Sequence, residues 1–299
     1  MKYKGYIYLG ITILIFSTLE VVSSTLKNLI NPLQLTFLRF LIGGVILLPL
    51  VIKKKEKLHS SDLLFFLGLG ILNILISMGG LQLAINMGKA STAAILISSN
   101  PIFVLLFSSV ILKEKVTFDR IACILFGITG ITLVIYKGNT GGDTFASLAL
   151  AILASLTFGL YTVLGKLKSE GVSSITMICL SSIFGSLLYV PILLFKGIPL
   201  FEIPQGSLLR ILYLGVFLSG IAYITYMEAL KLLTASKGAM VFFLKPVVAS
   251  ILAMIFLGEV ISGKTVAGML LVLVGIFINF FKINFRTGKA GDNIEKPGA

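Results

Sequence analysis

Three charged residues stand inside long apolar stretches, where they could bind a charged solute or carry a proton. Glu20 shares one helical face with Ser17 and Ser24, because these positions are separated by three and four residues. Arg39 lies about 12 Å into the next apolar stretch, if that stretch is helical. Lys245 is the deepest charge, about 14 Å into its stretch and close to the centre of a membrane.

Each of these charges has a functional and a structural interpretation. Glu20 could couple protons to the movement of a solute, or it could be a paired or solvated carboxylate near the outer interface. Arg39 could bind an anionic group such as a carboxylate, but we favour an ion pair with Glu20, since a short loop joins their helices. Lys245 could line a solute pathway, or it could extend toward the inner surface.

The composition of the chain indicates that most of it faces lipid. Its 299 residues are 57% hydrophobic and 12% charged, with a mean hydropathy of +1.06. Soluble proteins have about 45–50% apolar and about 25% charged residues. The net charge of +13 comes from residues between the apolar runs, so we expect no nucleic-acid partner. One histidine and two separated cysteines exclude a metal cluster or a hydrolase triad, and we expect no metal, no cofactor and no enzyme activity.

Ten apolar runs are long enough to cross a membrane as helices, since a crossing needs about 20 residues. They lie roughly at 4–24, 32–52, 62–85, 90–112, 118–136, 145–166, 173–195, 207–230, 236–257 and 264–282. With the N-terminus inside, Lys and Arg residues concentrate strongly on the inner side, which predicts that both termini are cytoplasmic. The sequence therefore predicts an all-α, multi-pass protein of a cell membrane, which we expect to be the bacterial cytoplasmic membrane.

The two halves of the chain resemble each other. Pro101 and Glu114 match Pro246 and Glu259 at an offset of 145 residues, and earlier helices match at an offset of 142. We predict one repeat over 1–138, a second over 144–282 and a disordered cytoplasmic tail over 283–299. Because five helices are an odd number, the second repeat starts on the opposite side of the membrane, and the two repeats are inverted. Inverted repeats are typical of secondary transporters, with the solute site near the midplane.

The same segments resemble a known family. Ala90-Ser91-Thr92-Ala93-Ala94, then Asn100-Pro101-Ile102-Phe103 and Leu112-Lys113-Glu114-Lys115, resemble the fourth helix of an EamA repeat. Ala235-Ser236-Lys237-Gly238-Ala239, Lys245-Pro246-Val247 and Leu257-Gly258-Glu259 resemble its second copy, and Leu38-Arg39-Phe40 is also typical. The resemblance, over about residues 5–282, implies an EamA-type member of the drug/metabolite transporter superfamily.

A polar residue precedes a proline at corresponding places in both repeats. These pairs are Asn100-Pro101 and Lys245-Pro246, and a proline inside a helix leaves a carbonyl without its donor. Such interrupted helices in paired positions are good indicators of a transport site. The predicted solute pathway consists of Lys245, Asn100, Ser98, Glu20, Arg39, Ser17, Thr162, Tyr161, Tyr223 and Tyr226, with Pro101 and Pro246 as helix-breaking residues.

The leading hypothesis is therefore a secondary active transporter that exports an amino acid, a related metabolite or a drug by alternating access. Its partners would be a small-molecule solute, the lipid bilayer, and protons or a counter-substrate. The chain could act as a monomer or a homodimer. A lipid flippase or a channel built on the same repeats is the alternative. Tyr161, Tyr223, Tyr226 and Phe158 could surround an apolar pocket, or they could face lipid.

Overall fold

A computed structural model describes residues 2–135, 143–169, 171–257 and 263–281. Within these ranges every regular element is a helix. Seven helical segments are long and apolar enough to cross a membrane, and the chain is an all-α integral membrane protein. These segments are Tyr3–Ser24, Pro32–Lys54, Ser60–Met87, Phe145–Lys168, Ser174–Phe195, Leu208–Leu232 and Ala235–Phe256. The predicted tail 283–299 and Glu259 lie outside the described residues.

Helices also occupy the other three predicted crossings. In the first half the helices are α1 Lys2–Phe16, α2 Leu19–Ser24, α3 Pro32–Lys54, α4 Ser60–Gly70, α5 Gly79–Met87, α6 Ala90–Ile97, α7 Asn100–Ile111 and α8 Phe118–Ile135. In the second half they are α9 Phe145–Lys168, α10 Ser174–Leu187, α11 Tyr189–Phe195, α12 Leu208–Tyr213, α13 Tyr223–Leu232, α14 Ala235–Ala239, α15 Lys245–Leu257 and α16 Gly263–Phe281.

Several crossings change their helical geometry near the middle. A π-helical segment, Ile71–Met78, joins α4 to α5, and a second one, Leu214–Ala222, joins α12 to α13. A 3₁₀ segment, Met240–Leu244, joins α14 to α15. A π segment inserts extra backbone into a turn and occurs often at functional sites. The apolar pattern of the sequence does not predict any of the three changes.

Glycines allow the two halves to approach closely at the backbone. A methyl group added at Gly70 would lie 2.7 Å from the Ser181 carbonyl oxygen and 2.8 Å from the amide nitrogen of Gly185. One added at Gly43 would lie 2.9 Å from the carbonyl oxygen of Gly215. Close approach through small residues is a common basis of helix packing in membranes, because lipid supplies no hydrophobic driving force between helices.

Gly70 and Gly68, both in α4, provide a matched test of this contact. A methyl group added at Gly68 would meet no atom within 4 Å. We expect Gly70→Ala to lower the free energy of unfolding by about 1–3 kcal/mol through overpacking. Gly68→Ala should leave it unchanged or raise it by up to about 1 kcal/mol, since alanine favours helix. Unfolding of the detergent-solubilised variants measures both, and equal stabilities would contradict the contact.

Candidate functional site

A buried ion pair joins the two halves of the chain. Lys245 Nζ lies 2.5 Å from Glu20 Oε1, and the two residues are 3% and 1% exposed. The second carboxylate oxygen, Glu20 Oε2, has no hydrogen-bond partner among the described residues. The expected pairing of Glu20 with Arg39 is therefore wrong, because Lys245 in α15 reaches the carboxylate instead. Breaking a buried pair by removing one partner leaves an uncompensated charge and costs about 3–5 kcal/mol.

Two hydroxyl residues interrupt the first crossing just before Glu20. Ser17 Oγ donates to the carbonyl of Ile13 at 2.6 Å, and Thr18 Oγ1 donates to the carbonyl of Ile15 at 2.7 Å. Side chains that bond to backbone carbonyls compete with the helix ladder. The chain then restarts as α2 with Glu20 in its first turn. A carboxylate is favoured at this end of a helix by the partial positive charge of the free amides.

Lys245 is the first residue of α15, directly after the 3₁₀ segment and before Pro246. The proline fits this position, because the amides of the first turn have no partner within the helix. A cation is not favoured at a helix N-terminus, so the pairing with Glu20 stabilises the ammonium group there. Pro101 likewise follows Asn100 at the start of α7. Both predicted helix-breaking prolines thus lie where a crossing is interrupted.

Glu114 fixes the beginning of the crossing that carries Lys245. Its carboxylate accepts hydrogen bonds from the amide of Ala235 at 2.6 Å and from Ser236 Oγ at 2.6 Å. Arg120 Nη1 and Lys166 Nζ each lie 3.5 Å from it. Burial acts to raise the pKa of the Glu114 carboxyl, but these hydrogen bonds and Lys166 outweigh it and lower that pKa below its ordinary value.

Arg39 is buried in α3, only 2% exposed, and no carboxylate of the described chain forms an ion pair with it. Its guanidinium carbon lies 4.7 Å from the centre of the Phe40 ring. Its Nε has no hydrogen-bond partner in the described part of the chain.

Seven buried aromatic rings, here called the aromatic cluster, surround the region next to the ion pair. They are Phe16, Phe40, Phe158, Tyr161, Tyr223, Tyr226 and Phe242. Tyr223 packs edge-on against Phe16 at 5.2 Å, and Tyr226 packs edge-on against Phe242 at 5.1 Å. The four aromatic residues predicted near a pocket are thus buried against one another rather than facing lipid.

A small cavity lies between the aromatic cluster and the ion pair. Its volume is about 20 Å³, which is enough for roughly one water molecule. Its lining includes Phe16, Phe158, Tyr223, Phe242 and Lys245. This space has no room for anything larger than a water molecule, and a larger solute needs a rearrangement of the surrounding helices.

The other predicted pathway residues are buried near these elements. Ser98 Oγ donates to the Ala94 carbonyl, and Thr162 Oγ1 donates to the Phe158 carbonyl. Asn100 is fully buried, and both polar atoms of its side chain lack a hydrogen-bond partner among the described residues. A buried amide without hydrogen-bond partners costs free energy.

Sequence reasoning missed Asn73 in the first π segment. Its side-chain oxygen lies 3.3 Å from the hydroxyl of Tyr223, and the residue is 2% exposed. A lone polar amide in the middle of an apolar run was the signal that could have identified it. Tyr189, whose hydroxyl donates to the carbonyl of Ile74, gave no comparable signal.

Two long segments of the chain match one known protein family. The model of the EamA-like transporter family matches residues 3–136 and again residues 145–281. The chain belongs to the EamA-like transporter family. A transporter of this kind from Clostridium kluyveri, named only as an "Uncharacterized transporter", is 35% identical over 289 residues, which cover 93% of each chain. Family membership makes the chain a membrane transporter.

Two further relatives of this EamA-like chain bear on its function and fold. A "Probable terminal-alkyne amino-acid exporter" from Streptantibioticus cattleyicolor is 26% identical over 225 residues, covering 74% of each chain. A crystal structure of another protein superimposes on this chain with a TM-score of 0.77 and 19% sequence identity. The superposition covers 93% of this chain and 98% of that one. At that identity the superposition shows the fold alone.

The buried pair of this EamA-like protein is tested by a double-mutant cycle. We expect Glu20→Gln and Lys245→Met each to lower the free energy of unfolding by about 3–5 kcal/mol, since each leaves one buried charge. The double variant should recover much of the loss, because no unpaired charge is left. The control is the partly exposed pair of Glu228 and Lys231, which lie 3.0 Å apart. Removing either partner of this pair should lower the free energy of unfolding by at most about 1 kcal/mol. Additive losses in unfolding titrations would contradict the pairing.

Proposed function

We propose that this chain is a secondary transporter that exports an amino acid or a related small metabolite by alternating access. The observation that carries the proposal is the buried pair of Glu20 and Lys245, which connects α2 of the first half to α15 of the second half. Both residues stand at interruptions of membrane-crossing helices. Interrupted helices at the interface of two halves are the usual place of a solute site in secondary transporters.

The positions of the helices in the two halves support two inverted repeats of five helices each, over 1–138 and 144–282. A lysine of an earlier crossing donates to a backbone carbonyl in each half: Lys27 Nζ to Gly88 at 3.1 Å and Lys166 Nζ to Leu233 at 2.5 Å. The two acceptors are separated by the 145-residue offset of the repeat, whereas the two donors do not occupy corresponding positions. The π segments beginning at Ile71 and Leu214 also lie in corresponding crossings.

The ion pair would act as the contact that opens and closes during the transport cycle. Entry of a solute requires the closed cavity to enlarge, and Lys245 forms part of its lining. Separating the pair leaves two unpaired charges in a medium of low dielectric. Their free energy there is high unless another charge replaces the lost partner. A charged group of the solute or a proton could supply that replacement, which would couple solute movement to the change of conformation.

The export of an amino acid is suggested by the relative that is named as a probable amino-acid exporter. The buried site fits such a solute, since it combines charged groups of both signs with an aromatic wall. Both termini would lie in the cytoplasm, as the distribution of Lys and Arg predicts.

The test is uptake by the purified chain in liposomes under an imposed pH gradient, with a panel of amino acids, purines and cationic drugs. We expect saturable, gradient-dependent uptake of at least one amino acid. Lys245→Ala should reduce it by about tenfold or more, because the buried Glu20 carboxylate loses its partner. Lys231→Ala, which removes a partly exposed lysine, should leave uptake close to that of the unchanged chain.

Three outcomes of these experiments would contradict the proposal. Movement of labelled lipid between leaflets with no uptake of any solute would indicate a lipid flippase. Uptake that does not saturate would indicate a channel. Equal uptake by the Lys245→Ala and Lys231→Ala variants would show that the ion pair has no part in transport.

A further inference from the structure

We propose that Arg39 binds a carboxylate group of the transported solute, and that the solute is an organic monocarboxylate with an apolar body. This inference rests on the proposed transport function and narrows its solute class. It starts from the charges of the buried core rather than from the relatives of the chain.

The buried core next to the aromatic cluster contains two cations and one anion among the described residues. Glu20, Lys245 and Arg39 are each at most 3% exposed. Glu20 is already engaged by Lys245, so the positive charge of Arg39 is the one without an ion-pair partner. The remaining buried acid of the described chain, Asp62, forms its ion pair with Lys168.

A buried guanidinium group cannot relieve this imbalance by losing its proton, because arginine stays protonated in proteins. Burying a charge without a partner costs several kcal/mol. The contact with the Phe40 ring offsets about 0.5–2 kcal/mol of that cost. A negatively charged ligand of a single unit charge would balance the core.

The geometry of the guanidinium group favours a carboxylate as that ligand. Its planar array of N–H donors matches the two oxygens of a carboxylate in a bidentate contact. Arg39 Nε is buried and has no hydrogen-bond partner among the residues that the structure describes, so at least one donor is left for a ligand. A phosphate dianion would instead leave the core with an excess negative charge.

Tyr223 connects the guanidinium group to the apolar part of the site. Its ring packs edge-on against Phe40, the ring beneath Arg39, at 5.8 Å between centres. The same residue lines the cavity together with Phe16 and Phe158. A solute whose carboxylate reaches Arg39 would therefore place its apolar body beside the aromatic cluster.

An amino group on the solute is compatible with the site, but the charge balance does not demand it. Glu20 Oε2 lacks a hydrogen-bond partner and could accept an ammonium group. Organic acids without an amine and amino acids both carry a carboxylate. The experiment therefore has to distinguish these two types of solute.

The test measures binding to the full chain in lipid nanodiscs by isothermal titration with four related compounds. Phenylpropionate carries only the carboxylate, phenylalanine carries both charges, phenethylamine carries only the amine and phenylpropanol carries neither. We expect the acid and the amino acid to bind and the other two to bind at least tenfold more weakly. Phenylalanine binding more tightly than phenylpropionate would identify amino acids as the preferred source of the carboxylate.

Variants of Arg39 test the residue itself. Arg39→Gln should abolish the preference for compounds with a carboxylate, and Arg39→Lys, which keeps the charge but loses the planar array, should weaken it at least tenfold. Arg210→Gln is the control. Arg210 donates to the carbonyls of Thr25 and Gly206, and its replacement should leave binding unchanged. If Arg39→Gln fails to fold, the carboxylate preference of Arg39→Lys is compared with that of Arg210→Gln, and equal preferences would show that Arg39 does not bind the carboxylate.

The failures of this inference and of the proposed function are distinguishable. If neither acid binds, or if phenethylamine binds as tightly as phenylpropionate, Arg39 does not bind a carboxylate. Gradient-dependent uptake of a cationic or uncharged solute would then leave the transport function standing. Lipid movement without uptake of any solute would overturn both.

Discussion

The buried contact between Glu20 and Lys245 is the interaction on which the rest of the site depends. Two charges that lie in the core of a membrane protein are stable there only as a pair, and this pair spans the two halves of the chain. The interruptions at Ser17 and Thr18 and in the 3₁₀ segment bring each partner to the start of a helix. The aromatic cluster fills most of the space beside it and leaves a cavity of about 20 Å³.

Around this pair the protein tolerates several unsatisfied polar groups that a purely structural core would avoid. Arg39 has no carboxylate partner, and the amide of Asn100 lacks hydrogen bonds within the described chain. Native proteins retain few such groups, because each costs about 1–3 kcal/mol. We propose that a polar ligand supplies the missing partners of Arg39 and Asn100. The glycines Gly70 and Gly43 bring helices of the two halves into close backbone contact.

The sequence predicted the helical class and the positions of the seven apolar crossings that the described residues show. The predicted start at residue 32 agrees with α3, which begins at Pro32. The partner of Glu20 could not be predicted, because Arg39 is near in the chain whereas Lys245 is 225 residues away and reaches it only through tertiary packing. The π segments were equally beyond prediction, since they depend on how neighbouring helices pack rather than on the apolar pattern.

The most direct test of this account is the distance between the Glu20 carboxyl carbon and Lys245 Nζ, measured by solid-state NMR on labelled protein in bilayers. The Glu20→Gln variant assigns the carboxyl signal. Without solute, we predict a short distance that corresponds to the direct hydrogen bond between the two side chains. With a saturating amount of transported solute, the distance should lengthen in part of the population. A long distance under both conditions, or a short one that never changes during transport, would contradict the account.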